Sequence, residues 1–123
     1  MSETTFNLMV LRTDNIEAAL AFYRAIGLQF QQEQHGSGPI HFSCEIGATV
    51  MEIYPGETGK APDRKSSGAT MLGFAVPALD ETLSQLANLN IAPTSPPKAS
   101  AWGRRTTVID PDGRAVEISQ ANR

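Results

Sequence analysis

Moving residues 16–28 forward by 63 positions sets Ile16 on Leu79, Leu20 on Leu83, Tyr23 on Leu86, Ile26 on Leu89, Gly27 on Asn90 and Leu28 on Ile91. Every apolar position finds an apolar mate, at the spacing of one helix face. Gly27 and Asn90 fall where helices end in the left-handed conformation, which glycine and asparagine adopt most readily. Self-similarity at a fixed period is the mark of a duplicated unit. The chain is therefore expected to fold as two like modules.

The rest of each half fits that expectation. TFNLMVLR (5–12) reads as a strand, and the helix after it has Thr13, Asp14 or Asn15 to cap its start and Gly27 to end it. LQFQQEQ, PIHFSCEI and ATVMEIYP read as three more strands, the last two joined by a tight turn around Ile46 and Gly47. GETGKAPDRKSSG (56–68) is rich in Gly, Pro and charge, without periodicity, and reads as a linker. The pattern then restarts: ATMLGFAV as strand, PALDETLSQLANLN as helix, and NIAPT, RRTTVID and RAVEISQ as strands, with DPDG (110–113) as a turn. The predicted fold is α+β: a single domain over residues 1–123, with βαβββ modules at 1–55 and 69–123 forming curved mixed sheets with helices outside.

At 123 residues the chain is long enough to bury one core. Ten Lys and Arg against thirteen Asp and Glu give a net charge of −3 with mixed signs, so no nucleic-acid face is expected. No apolar run approaches the roughly 20 residues of a spanning helix, so no membrane partner is expected either. The single cysteine, Cys44, cannot close an intramolecular disulfide, and MSETTFNLMV has neither a basic stretch nor a long apolar one, which points to the cytoplasm. The expected partners are a small molecule and a second copy, because an open curved sheet leaves edges and apolar surface to cover.

Two strands carry a carboxylate near their centre, Glu52 in TVMEIYP and Glu117 in AVEISQ. Strand side chains alternate, so Met51 and Ile53 face the helices while Glu52 and Tyr54 face away, and Val116 and Ile118 likewise oppose Glu117. Either each glutamate sits on the wet side of its sheet, or the two share a cavity in which they must find a cation or hydrogen-bond donors. Around them, a tight turn at 46–47 would set His41 opposite Glu52, as a possible ligand or base. A tight DPDG hairpin would set Thr106 opposite Glu117 and bring Arg104 to the same face, to pair that carboxylate or an anion. Tyr54 and Trp102 could offer flat walls to a ligand or pack locally. His35 reads as solvated, and Cys44 as a small core residue.

AFYRAIGLQF, the repeated βαβββ plan, the glutamate before the linker and the closing WGRRTTVIDPDGRAVEIS resemble the vicinal oxygen chelate superfamily, which includes glyoxalase I, extradiol dioxygenases, and the fosfomycin and bleomycin resistance proteins. The resemblance implies four metal-ligand positions, which fall on Leu8, Glu52, Met71 and Glu117. An alkyl chain cannot ligate, and a thioether suits the expected divalent ions poorly. The closest likeness is thus to the metal-free, bleomycin-resistance-like branch. It implies a homodimer without cofactor that binds its ligand in a groove between subunits, and the residues read above, Glu52, Glu117, His41, Tyr54, Trp102 and Arg104, are those expected to line it. The alternative is a metal-dependent lyase, isomerase or dioxygenase in which Glu52 and Glu117, with His41 as the replacement ligand, hold a divalent ion.

Overall fold

The structure, a computed structural model, describes residues 4–57, 70–101 and 103–121. Trp102 and residues 58–68 of the linker lie outside the described residues. The first module runs β1 (Leu8–Thr13), α1 (Ile16–Ile26), β2 (Gln31–Glu33), β3 (His41–Ile46) and β4 (Thr49–Pro55). The second runs β5 (Met71–Ala75), α2 (Leu79–Ala87), β6 (Lys98–Ser100), β7 (Gly103–Ile109) and β8 (Ala115–Ala121). Each makes a four-stranded sheet of the same design, β1-β4-β3-β2 and β5-β8-β7-β6, in which the first and last strands of the module pair in parallel.

The repeat extends to single hydrogen bonds. At the end of α1, Gly27 N–H donates to Arg24 O and Leu28 N–H to Tyr23 O at 3.1 Å. At the end of α2, Asn90 N–H donates to Ala87 O and Ile91 N–H to Leu86 O, again at 3.1 Å, 63 positions later in every case. Gly27 has φ 112° and Asn90 has φ 62°, so the two predicted helix ends both take the left-handed conformation. The helix starts differ. Asn15 caps α1 by accepting from Ala18 N–H, whereas Ala78 has no side chain to cap α2.

The core is joint property of the two modules. Leu11, Leu20, Phe22, Tyr23, Met51 and Ile53 from the first form one cluster with Val76, Leu79, Leu86, Val108, Val116 and Ile118 from the second. α1 packs on β4, α2 on β8, and the two helices on each other. The other face of each sheet is left open, with Leu8, Val10 and Met71 exposed. No helix among the described residues is long and apolar enough to cross a membrane.

Three local expectations are corrected. The β3–β4 turn is Gly47–Ala48, one residue later than predicted, so Ser43 and not His41 stands opposite Glu52. Moving the turn by one residue slides the pairing by two, and a two-residue slide preserves the face, so His41 stays on the side of Glu52. The β7–β8 turn is larger than a tight DPDG hairpin: Ile109 pairs with Ala115, and Asp110 closes the loop by accepting from Asp112 and Arg114 N–H. That slides the pairing by one, sets Thr107 opposite Glu117, and turns Thr106 and Arg104 to the helix side. Finally, no strand forms over residues 90–94. Thr94 does donate to Thr107 O, but Pro93, Pro96 and Pro97 have no N–H for a ladder, and the edge strand β6 starts only at Lys98.

Candidate functional site

In β4 the alternation is strict: Met51 and Ile53 are buried in the core, and Glu52 and Tyr54 point to the open face. β1, parallel to β4, aligns Arg12 with Tyr54, and β3 brings His41 alongside from the other flank. The result is a stack. Arg12 Cζ lies 4.9 Å from the Tyr54 ring centroid, and the His41 ring lies parallel to Tyr54 at 4.2 Å and 7°. His35 lies 5.1 Å from His41, ring centre to ring centre.

His41 is only 1% exposed. Its Nδ1 lies 3.2 Å from Pro39 O, a carbonyl that can only accept, so Nδ1 carries a proton and donates. Nε2 points between two carboxylates, 3.4 Å from Glu33 Oε1 and 3.7 Å from Glu52 Oε2, and has no hydrogen-bond partner. Glu33 is placed there by β2, which pairs it directly with His41. Glu33 Oε1 is also 3.8 Å from His35 Nε2. The donor atoms of Glu33, His35 and His41 all lie within 4.8 Å of one another.

The open face of the second sheet is organised around Glu117. Arg105, not Arg104, approaches it at 3.7 Å. Gly73 stands opposite, where even an added Cβ would remain 3.8 Å from Glu117 Oε2. A cavity of about 250 Å³ is lined by Ser100, Arg104, Arg105, Glu117, Ser119 and their neighbours. Arg104 itself donates to Asp80 of α2 at 3.0 Å; that bond and its charge hold the Asp80 carboxyl below the usual range and raise the Arg104 guanidinium.

Of the residues singled out from sequence, the fold brings His41, Glu52 and Tyr54 together. Glu117 belongs to the other sheet and makes its ion pair there. Arg104 turns away from Glu117, and Trp102 lies outside the described residues. Cys44 is buried, and burial pushes its thiol up, away from nucleophilic use. Sequence reasoning missed Glu33 and Arg12. Arg12 had a signal, since it continues the outward series Leu8, Val10 along β1, but Glu33 gains its meaning only from the β2–β3 pairing.

Leu8 and Met71, the other two ligand positions implied by resemblance, are about half exposed on the open faces of β1 and β5. The resulting set of two carboxylates, an alkyl group and a thioether does not fit a divalent ion.

The profile of the Glyoxalase/Bleomycin resistance protein/Dioxygenase superfamily matches residues 5–118. No curated protein sequence matches the chain. Among solved structures it is similar to a glyoxalase/dioxygenase from Nostoc punctiforme, at TM-score 0.77 and 20% identity over 97% of this chain and 92% of that one. It is similar also to TnmS3, an antibiotic binding protein from Streptomyces sp. CB03234, at TM-score 0.71 and 20% identity over 99% of both chains. A glyoxalase family protein from Enterococcus faecalis aligns at TM-score 0.66 and 23% identity, over 97% of this chain and 99% of that one. At these identities the structures speak for the fold alone, and fold and profile agree: the chain belongs to the glyoxalase/bleomycin resistance/dioxygenase superfamily.

Proposed function

We propose that this protein binds a small molecule on the open face of its first sheet, without a metal at the four positions that metal-dependent relatives use. The observation that carries this reading is the stack of Arg12, Tyr54 and His41 beside two carboxylates, Glu33 and Glu52. Flat rings offer a platform to a planar ligand, and the carboxylates favour one that brings N–H donors or positive charge. TnmS3, an antibiotic binding protein of similar fold, supports the small-molecule part of this reading.

Glu117 and Arg105 would add polar contacts from the second sheet, and Trp102, adjoining Gly103, a further wall. The exposure of Leu8 (49%), Val10 (40%) and Met71 (51%) on the open faces supports a homodimer in which a second copy covers them and completes the groove. Cytoplasmic residence belongs to the same reading and rests on the lone, buried Cys44. The metal-dependent lyase, isomerase or dioxygenase alternative would need Glu52 and Glu117 on one ion, with Leu8 and Met71 at the two remaining positions offering it no suitable donor.

A thermal-shift screen of cationic aromatic compounds, run on the native chain and on Glu52→Gln, tests the proposal. A compound that raises the melting temperature of the native chain should lose its effect on Glu52→Gln, while the ligand-free variant melts at the same temperature or higher. If the ligand-free variant instead melts several degrees lower and the compound shifts it equally, Glu52 is structural and the reading fails.

A further inference from the structure

The two modules treat equivalent positions in opposite ways. His41 stands two residues before Ser43, the partner of Glu52, and Arg105 stands two residues before Thr107, the partner of Glu117. On the edge strands, Glu33 pairs with His41 and Lys98 pairs with Arg105. Where the second module has Lys98 and Arg105, the first therefore has Glu33 and His41. In the second module the chain itself supplies Glu117 with a cation, Arg105 at 3.7 Å. In the first, the equivalent place holds an imidazole whose Nδ1 proton is already given to Pro39 O.

That donation fixes Nε2 of the neutral ring as a lone pair. The lone pair is buried, has no hydrogen-bond partner, and faces carboxylate oxygens at 3.4 and 3.7 Å. Such a convergence is relieved by a proton on Nε2 or by a metal ion between the three atoms, and the second imidazole, His35, beside the same Glu33 oxygen points to the ion. The carbonyl behind the ring is also the support that metal-binding histidines ordinarily have, because a hydrogen bond at one nitrogen orients the other towards the ion.

We infer that Glu33, His35 and His41 form a site for one divalent cation of the zinc class, at the β2 edge of the first sheet. Ligands about 2.0–2.1 Å from a tetrahedral ion lie about 3.4 Å apart. His41 Nε2 and Glu33 Oε1 already have that separation at 3.4 Å, and His35 Nε2 is 3.8 Å from the same oxygen. His35 is the ligand that must move to close the triangle, and its side chain, 75% exposed, is free to rotate. Two imidazoles and a carboxylate suit zinc or cobalt and leave a fourth position, towards which Glu52 Oε2 is turned. The site differs from the superfamily's four positions in all but that last neighbour.

Zinc titration of the untagged, chelator-treated full chain tests this, with calorimetry for stoichiometry and Co²⁺ absorption for geometry. One Zn²⁺ per chain is expected, with tetrahedral cobalt bands that Zn²⁺ abolishes. Glu33→Gln and His35→Ala should each weaken binding by more than about tenfold, since even the loss of a supporting contact costs a metal site that much. Both residues lie at the surface, so these variants report on binding even if His41→Ala fails to fold. Glu45→Gln, on the same strand as His41, should bind as the native chain does. A chain that takes up no Zn²⁺, or takes it up equally in Glu33→Gln and His35→Ala, overturns the proposal. No organic ligand enters the measurement, so its outcome and that of the ligand-binding test stand or fall separately.

Discussion

Gly103 shows what a single missing methyl group decides. Its φ of 133° lies in the left-handed half of conformational space, and a Cβ there would meet Gln120 O at 2.1 Å. Neither constraint can relax, because the obstructing atom is backbone of the paired strand β8. Gly103→Ala should therefore cost about 2 kcal/mol or more in urea unfolding, and a loss below about 0.5 kcal/mol would show that the start of β7 is not held as described. The same residue marks where sequence stops being readable. The outward placing of Glu52 and Tyr54 follows from alternation alone. The side on which Arg104 falls depends on whether the turn after Ile109 closes tightly, and that in turn depends on Asp110 gathering two backbone N–H groups inside the loop. One residue of slippage exchanges Arg104 for Arg105 beside Glu117. His41 survived an error in its own turn only because that error amounted to two residues.

Among the elements, those with strong local signals were legible and those defined by pairing were not. α1 has both caps written in its sequence, Asn15 and Gly27. β6, three residues long, has no pattern of its own and exists because β7 receives it, while β2, equally short, is the part of the expected LQFQQEQ strand that β3 receives. α2 lies between these cases. Its first N–H is taken by the Gln120 side chain at 2.6 Å, but Ala78, whose carbonyl accepts from Thr82 N–H, has no side-chain oxygen for the N–H groups between. Ala78→Ser should supply one, raising stability by about 0.5–1 kcal/mol and the melting temperature by a few degrees. An unchanged melting temperature would mean that the first turn of α2 is already satisfied by other means.

Across the molecule, the modules are tied by more than shared apolar surface. Tyr23 of α1 donates to Asp110 Oδ2 at 2.6 Å, and Arg114 bridges back from Asp110 at 2.9 Å to the carbonyl of Arg12 in β1. Burial, then the charge of Asp110 and the hydrogen bond to it, hold the Tyr23 phenol well above its ordinary range. Burial works against the charge of Arg114, but Asp110 outweighs it and raises the guanidinium. A phenol raised in the folded state stabilises fully below the pKa of an unfolded tyrosine, about 10, and that contribution is lost as pH climbs past it. Tyr23→Phe should thus be less stable near neutrality by about 1–2 kcal/mol, yet lose less stability than the native chain between about pH 9 and 11. Parallel urea midpoints for the two proteins across that interval would remove Tyr23 from the tie. The repeat made the two-module plan legible, but this bond joins residues 87 positions apart that no local pattern connects.

The opposed edge pairs, Glu33 with His41 and Lys98 with Arg105, have a consequence for how such a molecule can diversify. A half-length ancestor assembled from two identical copies must carry every substitution on both faces at once. An acidic, imidazole-bearing face would then always confront another of its kind. Joining the copies in one chain breaks that obligation, and each face can drift to its own chemistry while the common interior stays fixed. Here Arg105 stands beside Glu117 on one face, while on the other Glu33 and Glu52 flank a buried imidazole nitrogen.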